Sequence, residues 1–134
     1  MSDRICKHCG KPIPPSRRSL AIYCSMRCQR DNCQKQYHDL NPQTQLASGT
    51  VGVIGEYRVI IDLLNKGFDV FHAASPSCSC DLAVLKDNKL YRVEVRTGKY
   101  SSSGSYYYPK YHRADIMAIV LPDKVIYQPD TLLG

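Results

Sequence analysis

Apolar residues recur along this chain in two rhythms. Between residues 50 and 66, Val53, Ile54, Tyr57, Ile60, Ile61 and Leu64 follow one another at spacings of one, three and four. That is the period of a helix face, and Gly67 suits its C-terminal cap. Short runs rich in β-branched and aromatic residues come next, over Phe68 to Ala73, Cys80 to Leu85, Lys89 to Thr97, residues 115–121 and Lys124 to Gln128. Such runs predict strands. Asp87-Asn88 and Pro122-Asp123 supply turns, so the second and third strands should form a hairpin. The stretch GKYSSSGSYYYPK, residues 98–110, has no period and reads as a flexible loop.

This order predicts an α/β core over residues 50–134. Residues 41–49, NPQTQLASG, are polar and aperiodic and read as a linker. Residues 1–40 carry five of the seven cysteines and form a separate small module. No internal repeat is visible. A hydrophobic fraction of 43 % suffices for a modest core. No apolar run is long enough to span a membrane, and the polar start MSDRICKHCG lacks the apolar segment of a secretory signal. The odd cysteine count and the CxxC spacing argue against a disulfide scaffold. A reducing, cytoplasmic setting is expected.

Charge changes the picture of the N-terminal arm. Of the net +6, residues 1–48 hold eight Lys/Arg against three Asp/Glu, whereas residues 49–134 hold ten against nine. A basic arm beside an acid-bearing core suits a phosphate-backbone binder, although a solubilising role would leave the same trace.

Cys6-Lys7-His8-Cys9 and Cys24-Ser25-Met26-Arg27-Cys28 are fourteen residues apart. Four thiolates at this spacing close a tetrahedral structural zinc site. Gly10 permits the tight turn of a knuckle, and Ser25 can cap a helix starting at Met26. His8 reads as a surface residue, with Cys33 and His38 as weaker alternate ligands. Arg17, Arg18, Arg27, Arg30 and Lys35 form either a phosphate-contacting face or a solvated one. CKHCGKPI and YCSMRC resemble short treble-clef or ribbon-type zinc fingers. That resemblance covers about residues 6–30 and implies Zn²⁺, not a particular ligand.

Three acids stand out in the core. Glu56 lies in the predicted helix, Asp81 opens the run CDLAVL, and Glu94 sits in the strand LYRVEVRTG. Acids in apolar strands need a partner. Glu94 and Arg96 share one strand face and Val93 and Val95 the other. With Asp81 on the neighbouring strand and Glu56 on a packed helix, the acids are expected to converge as a cradle for a hard divalent cation. Each has a plainer reading: Asp81 in a turn, Glu56 solvated, Glu94 paired with Arg92 or Arg96. His72 reads as a structural histidine, Cys78 and Cys80 as a reduced loop, and Asp115 as a cap. Tyr106, Tyr107, Tyr108 and Tyr111, with Lys110, His112 and Arg113, either stack on bases or pack onto the sheet.

The segments GxxGExxVxxxLLxxGFDV, SPSCSCDLAVL, VEVRTG and DIMAIVLPDKVIYQP together resemble the PD-(D/E)XK nuclease superfamily. The nearest groups are its group I intron-associated and Holliday-junction-resolvase-like members, and the resemblance spans roughly residues 49–130. It implies a restriction-endonuclease-like αβββαβ fold with a mixed sheet and a Mg²⁺- or Mn²⁺-dependent DNA endonuclease in a prokaryotic or phage setting. It carries Asp81 to the first metal-binding acid, Glu94 to the acid of the triplet, and Glu56 to the helix glutamate. Two positions depart from the pattern. Cys80 stands where proline is usual, and Arg96 stands at the lysine. Arginine stabilises charge but is a poor proton acceptor. Lys99 is a neighbouring substitute if a bulge aims it inward. Cutting both strands takes two sites, so a homodimer is expected. The rival readings are a nuclease-derived DNA-binding protein that no longer cuts, and a zinc-finger interaction adaptor.

Overall fold

The computed structural model describes residues 4–110 and 113–133. Tyr111 and His112 of the aromatic cluster lie outside these. The core is a five-stranded mixed sheet with spatial order β1-β2-β3-β6-β7. Its strands are β1 (Asp69–His72), β2 (Leu82–Lys86), β3 (Lys89–Thr97), β6 (Ile116–Val120) and β7 (Val125–Gln128). The β2–β3 hairpin turns at Asp87 and Asn88, with φ of 51° and 61°. Two successive left-handed residues define the tight turn that matches strand twist, and Asp and Asn tolerate it best after glycine. Among the described residues the one parallel pairing is β3 with β6, with Val93 opposite Ile116 and Arg96 opposite Ile119.

A parallel pair needs a crossover, and here the family resemblance misses. The αβββαβ pattern puts a helix between β3 and β6. Among the described residues the connection holds no helix. It carries a small antiparallel ribbon, β4 (Lys99–Tyr100) with β5 (Tyr106–Tyr107), inside the segment expected to be a loop. Tyrosines favour strand geometry, and Gly104, at φ +87°, with the serine hydroxyls of 101, 103 and 105 closes the turn. Tyr100 and Tyr108 then cover Met117, Ile119 and Leu121, the work the missing helix would do.

Helix α2 (Ser48–Asn65) covers the opposite face. Its buried residues are Gly55, Val59 and Leu63, packed with Leu82, Val84, Val93, Ile116, Ala118 and Val120. The predicted stripe points elsewhere: Val53, Ile54, Tyr57, Ile61 and Leu64 are exposed, and only Ile60 of that set packs against the core. The helix is apolar on nearly every side, so periodicity alone does not select the inward face. Gly55 lies on that face. A Cβ there would lie 3.6 Å from Val120 and 3.7 Å from Val95, so the helix rests on the sheet at this point. Gly67 ends the helix at φ +86°, as its position suggested. No helix among the described residues is long and apolar enough to cross a membrane.

Helix α1 (Met26–Leu40) belongs to the cysteine module and has no fully buried residue. The segment after it makes a 3₁₀ turn, Pro42–Gln45. Asn41, at its start, is fully buried. Its amide donates to the Tyr37 and Tyr100 carbonyls at 3.1 and 2.8 Å, and its Oδ1 accepts from Tyr100 N at 2.6 Å. The cysteine module is thereby hydrogen-bonded to the β4–β5 ribbon.

Candidate functional site

The cysteine module is built by local backbone rules. Gly10, at φ +72°, folds the first knuckle back, its N–H donating to Cys6 O at 2.9 Å. Ser25 is the extended N-cap of α1, and its Oγ accepts from Cys28 N at 3.1 Å. This cap fixes Cys28 in the first turn, facing Cys24. The four sulfurs of Cys6, Cys9, Cys24 and Cys28 lie within 4.8 Å of one another, with Cys9–Cys24 at 3.6 Å and Cys24–Cys28 at 3.5 Å. Sulfurs around a tetrahedral zinc at ~2.3 Å stand ~3.8 Å apart, so the set fits that ion. Burial pushes the Cys6 thiol up, but backbone N–H groups at Cys9, Cys24 and His8 outweigh it, and its pKa falls to about 6. Hydrogen bonding with Cys28 and Cys9 raises Cys24 to about 12. His8 and Cys33 are exposed and stand outside the set, and His38 Nδ1 pairs with Thr44 Oγ1 at 3.1 Å.

In the core, strand alternation behaves as expected. Val93 and Val95 join the cluster beneath α2, while Glu94 and Arg96 face the other way and form an ion pair. Asp81 sits in a bend just before β2 and Oδ2 accepts from Val95 N at 2.8 Å. It is thus tied to the peptide that follows Glu94. Glu56 does not join them. Its Oε2 lies 2.9 Å from His72 Nε2, on the helix-covered face. His72 pairs in register with Leu82, and Leu82 with Val93, so all three acids occupy one end of the sheet. They do not form a single ligand cluster. Among the described residues only the cysteines gather that closely. Each carboxylate instead meets the nearest positive or N–H group.

Glu94 and Arg96 line an open cleft of about 480 Å³ with Ser77, Cys78, Ser79, Arg92 and Arg113. Three guanidiniums in one cleft favour a phosphate ligand. Arg96 Nε is buried without a hydrogen-bond partner, a donor that such a ligand would satisfy. Arg92 is steadied by Asp115, which accepts from Arg92 N at 2.9 Å and from its guanidinium at 3.4 Å. These contacts hold the Asp115 carboxyl below its ordinary range. Arg92 and Arg113 were not picked out for this site from the sequence. Arg92 was available to the same alternation rule, since it shares parity with Glu94 and Arg96. Lys99 lies in β4 and does not line the cleft.

Mg²⁺ takes one or two carboxylates and completes its shell with water and phosphate oxygen. Asp81 and Glu94 each use one oxygen on a protein partner and keep the second. Two such carboxylates, one in the bend before β2 and one on β3 in an arginine-lined cleft, fit that donor set.

No protein-family profile matches the sequence, and no curated protein matches it. Three solved chains match the structure. One is the bacterial homing endonuclease I-Ssp6803I, with TM-score 0.52 and 19 % identity, over 60 % of this chain and 62 % of that one. At that identity the likeness is one of fold. It shows a shared fold over that part of the chain and leaves the chemistry to the residues.

Proposed function

We propose that the chain is a metal-dependent DNA endonuclease that hydrolyses phosphodiester bonds in the Glu94–Arg96 cleft. One observation carries this reading: Asp81, just before β2, accepts from the Val95 N–H that follows Glu94, and Glu94 lines a cleft with Arg92, Arg96 and Arg113. A homing endonuclease among its fold neighbours supports it. Asp81 and Glu94 would hold Mg²⁺ or Mn²⁺, which when bound polarises a phosphate oxygen and makes a coordinated water more acidic. Arg96 donates N–H groups to the non-bridging oxygens as charge builds there; it stays protonated and is not the base. Arg92 and Arg113 orient the strand. Glu56, paired with His72 on the helix-covered face, stands outside the cleft. The four-cysteine finger, holding Zn²⁺, brings its basic arm to the backbone. The protein acts as a homodimer, one site per strand.

One observation favours a second reading. The Glu94 carboxylate is already engaged by Arg96. If that pair persists on DNA, the protein binds without cutting. Supercoiled plasmid and branched DNA incubated with the zinc-loaded protein and Mg²⁺ separate the two. Nicking that stops with chelator supports the nuclease, and retention without nicking on every substrate supports the binder.

A further inference from the structure

The finger holds a built surface that the zinc site does not explain. The Arg4 guanidinium donates to three successive carbonyls, Arg18 O at 2.6 Å, Ser19 O at 2.9 Å and Arg17 O at 3.4 Å. Arg17 N in turn donates to Pro14 O, and Ala21 N to Arg18 O. A loop without a core is therefore held by the Arg4 side chain together with its own backbone bonds. At its tip Leu20 is 91 % exposed. Leu20 also forms part of the wall of a groove of about 590 Å³, with Arg17, Arg18, Ile22, Tyr23 and Met26 among others. Ile22 and Met26 are also exposed. Arg17 Nε is buried with no hydrogen-bond partner. The groove lining contains no acid.

A held loop that presents an exposed leucine just after two arginines has the chemistry of a minor-groove wedge. Proteins that enter the minor groove place arginine along it and insert an apolar side chain between base steps, unstacking and kinking the duplex. We propose that residues 17–23 engage duplex DNA from the minor groove, with Leu20 inserted between base pairs and Arg17 and Arg18 along the groove and its phosphates. Charge complementarity selects DNA over a protein partner. The arm from residue 1 to 48 holds eight basic and three acidic residues, and two of those arginines and no acid line the groove. Arg4 is a positioning residue that fixes the loop. The inference rests on the DNA-binding part of the proposed function and is independent of cleavage.

The test uses the zinc-loaded full chain and an A·T-rich duplex carrying 2-aminopurine, whose fluorescence rises on unstacking, with a dye pair at its ends to report bending. Wild type should raise the fluorescence and bring the ends together. Leu20→Ala should abolish both signals and weaken binding about tenfold, the scale of one buried aliphatic side chain. Leu20→Met, which keeps a wedge, should restore them. Arg17→Gln with Arg18→Gln should keep zinc content and lower the salt slope of binding by about two. Fluorescence and bending unchanged in Leu20→Ala would overturn the wedge while leaving the DNA reading intact. So would tight binding with no unstacking by wild type. Failure to retain any DNA at low salt would overturn both, and would point to a protein partner for the groove.

Discussion

Asn41 and Tyr100 exchange hydrogen bonds in both directions, amide to carbonyl at 2.8 Å and backbone N–H to Oδ1 at 2.6 Å. This pair stitches the C-terminal end of the finger helix to the β4–β5 ribbon. Asn41 is fully buried, so its removal leaves the Tyr100 donor and acceptor unpaired away from water. Asn41→Ala should lower stability by about 2–4 kcal/mol. Urea denaturation followed by tyrosine fluorescence and circular dichroism checks this. Loss of the bonds should also let the finger unfold before the core.

Gly98 is predicted to resist even one added methyl group. A Cβ there would lie 2.7 Å from Leu121 Cδ2 and 3.0 Å from Ile119 Cγ2. Both side chains are fully buried and have little room to yield. Gly98→Ala should cost about 1–3 kcal/mol, as overpacked cores do. Thermal denaturation should register it as a lower Tm with the zinc content unchanged.

Asp62 joins α2 to β7. Its Oδ2 accepts from Lys66 Nζ at 2.6 Å and from Tyr127 O–H at 2.5 Å. Burial raises the Asp62 pKa, but these bonds outweigh it and hold the carboxyl below its ordinary 3.8. A depressed folded-state pKa gives stability that is present above the unfolded value and lost as pH falls through the folded one. Asp62→Asn should therefore lower Tm at neutral pH, and the gap to wild type should shrink as pH drops below 3.8. Burial, and then the bond to Asp62, raise the Tyr127 pKa, so the phenol remains the donor across this range.

Zinc should be a folding partner of the finger. Among described residues 4–40 only Cys6 and Ile13 are buried. So small a core cannot offset the entropy of ordering the segment, and metal binding has to supply the difference. Metal analysis should find one zinc per chain, lost in Cys24→Ser. Strong chelation should melt α1 while the five-stranded sheet keeps its own cooperative transition.

Much of the fold is legible from residues alone, for identifiable reasons. Ser25, Gly67 and Asp87-Asn88 each impose a local backbone geometry, so the helix start, the helix end and the hairpin follow from them. The sheet follows because β-branched runs are short and well separated. The inward face of α2 does not follow. Val53, Tyr57 and Leu64 look as core-like as Val59 and Leu63, and the third buried position, Gly55, has no side chain to advertise it. The β4–β5 ribbon was equally hidden, because serine and glycine conceal a strand signal carried by tyrosines. At the candidate site, alternation placed Glu94 with Arg96 correctly. The convergence of Glu56 did not follow, because a helix position fixes neither which sheet face the side chain reaches nor that His72 meets it.

The central claim is that the cleft beside Asp81 cuts DNA, and cleavage by matched variants tests it most directly. Plasmid nicking by the zinc-loaded protein with Mg²⁺ is measured for wild type, Asp81→Ala, Glu94→Gln and Arg96→Lys, with DNA retention measured alongside. The account predicts that Asp81→Ala and Glu94→Gln abolish nicking, losing at least ~100-fold in rate, while retention persists. Arg96→Lys should keep nicking. Nicking that survives in Asp81→Ala, or wild type and Arg96→Lys that bind every substrate and cut none, would contradict the account.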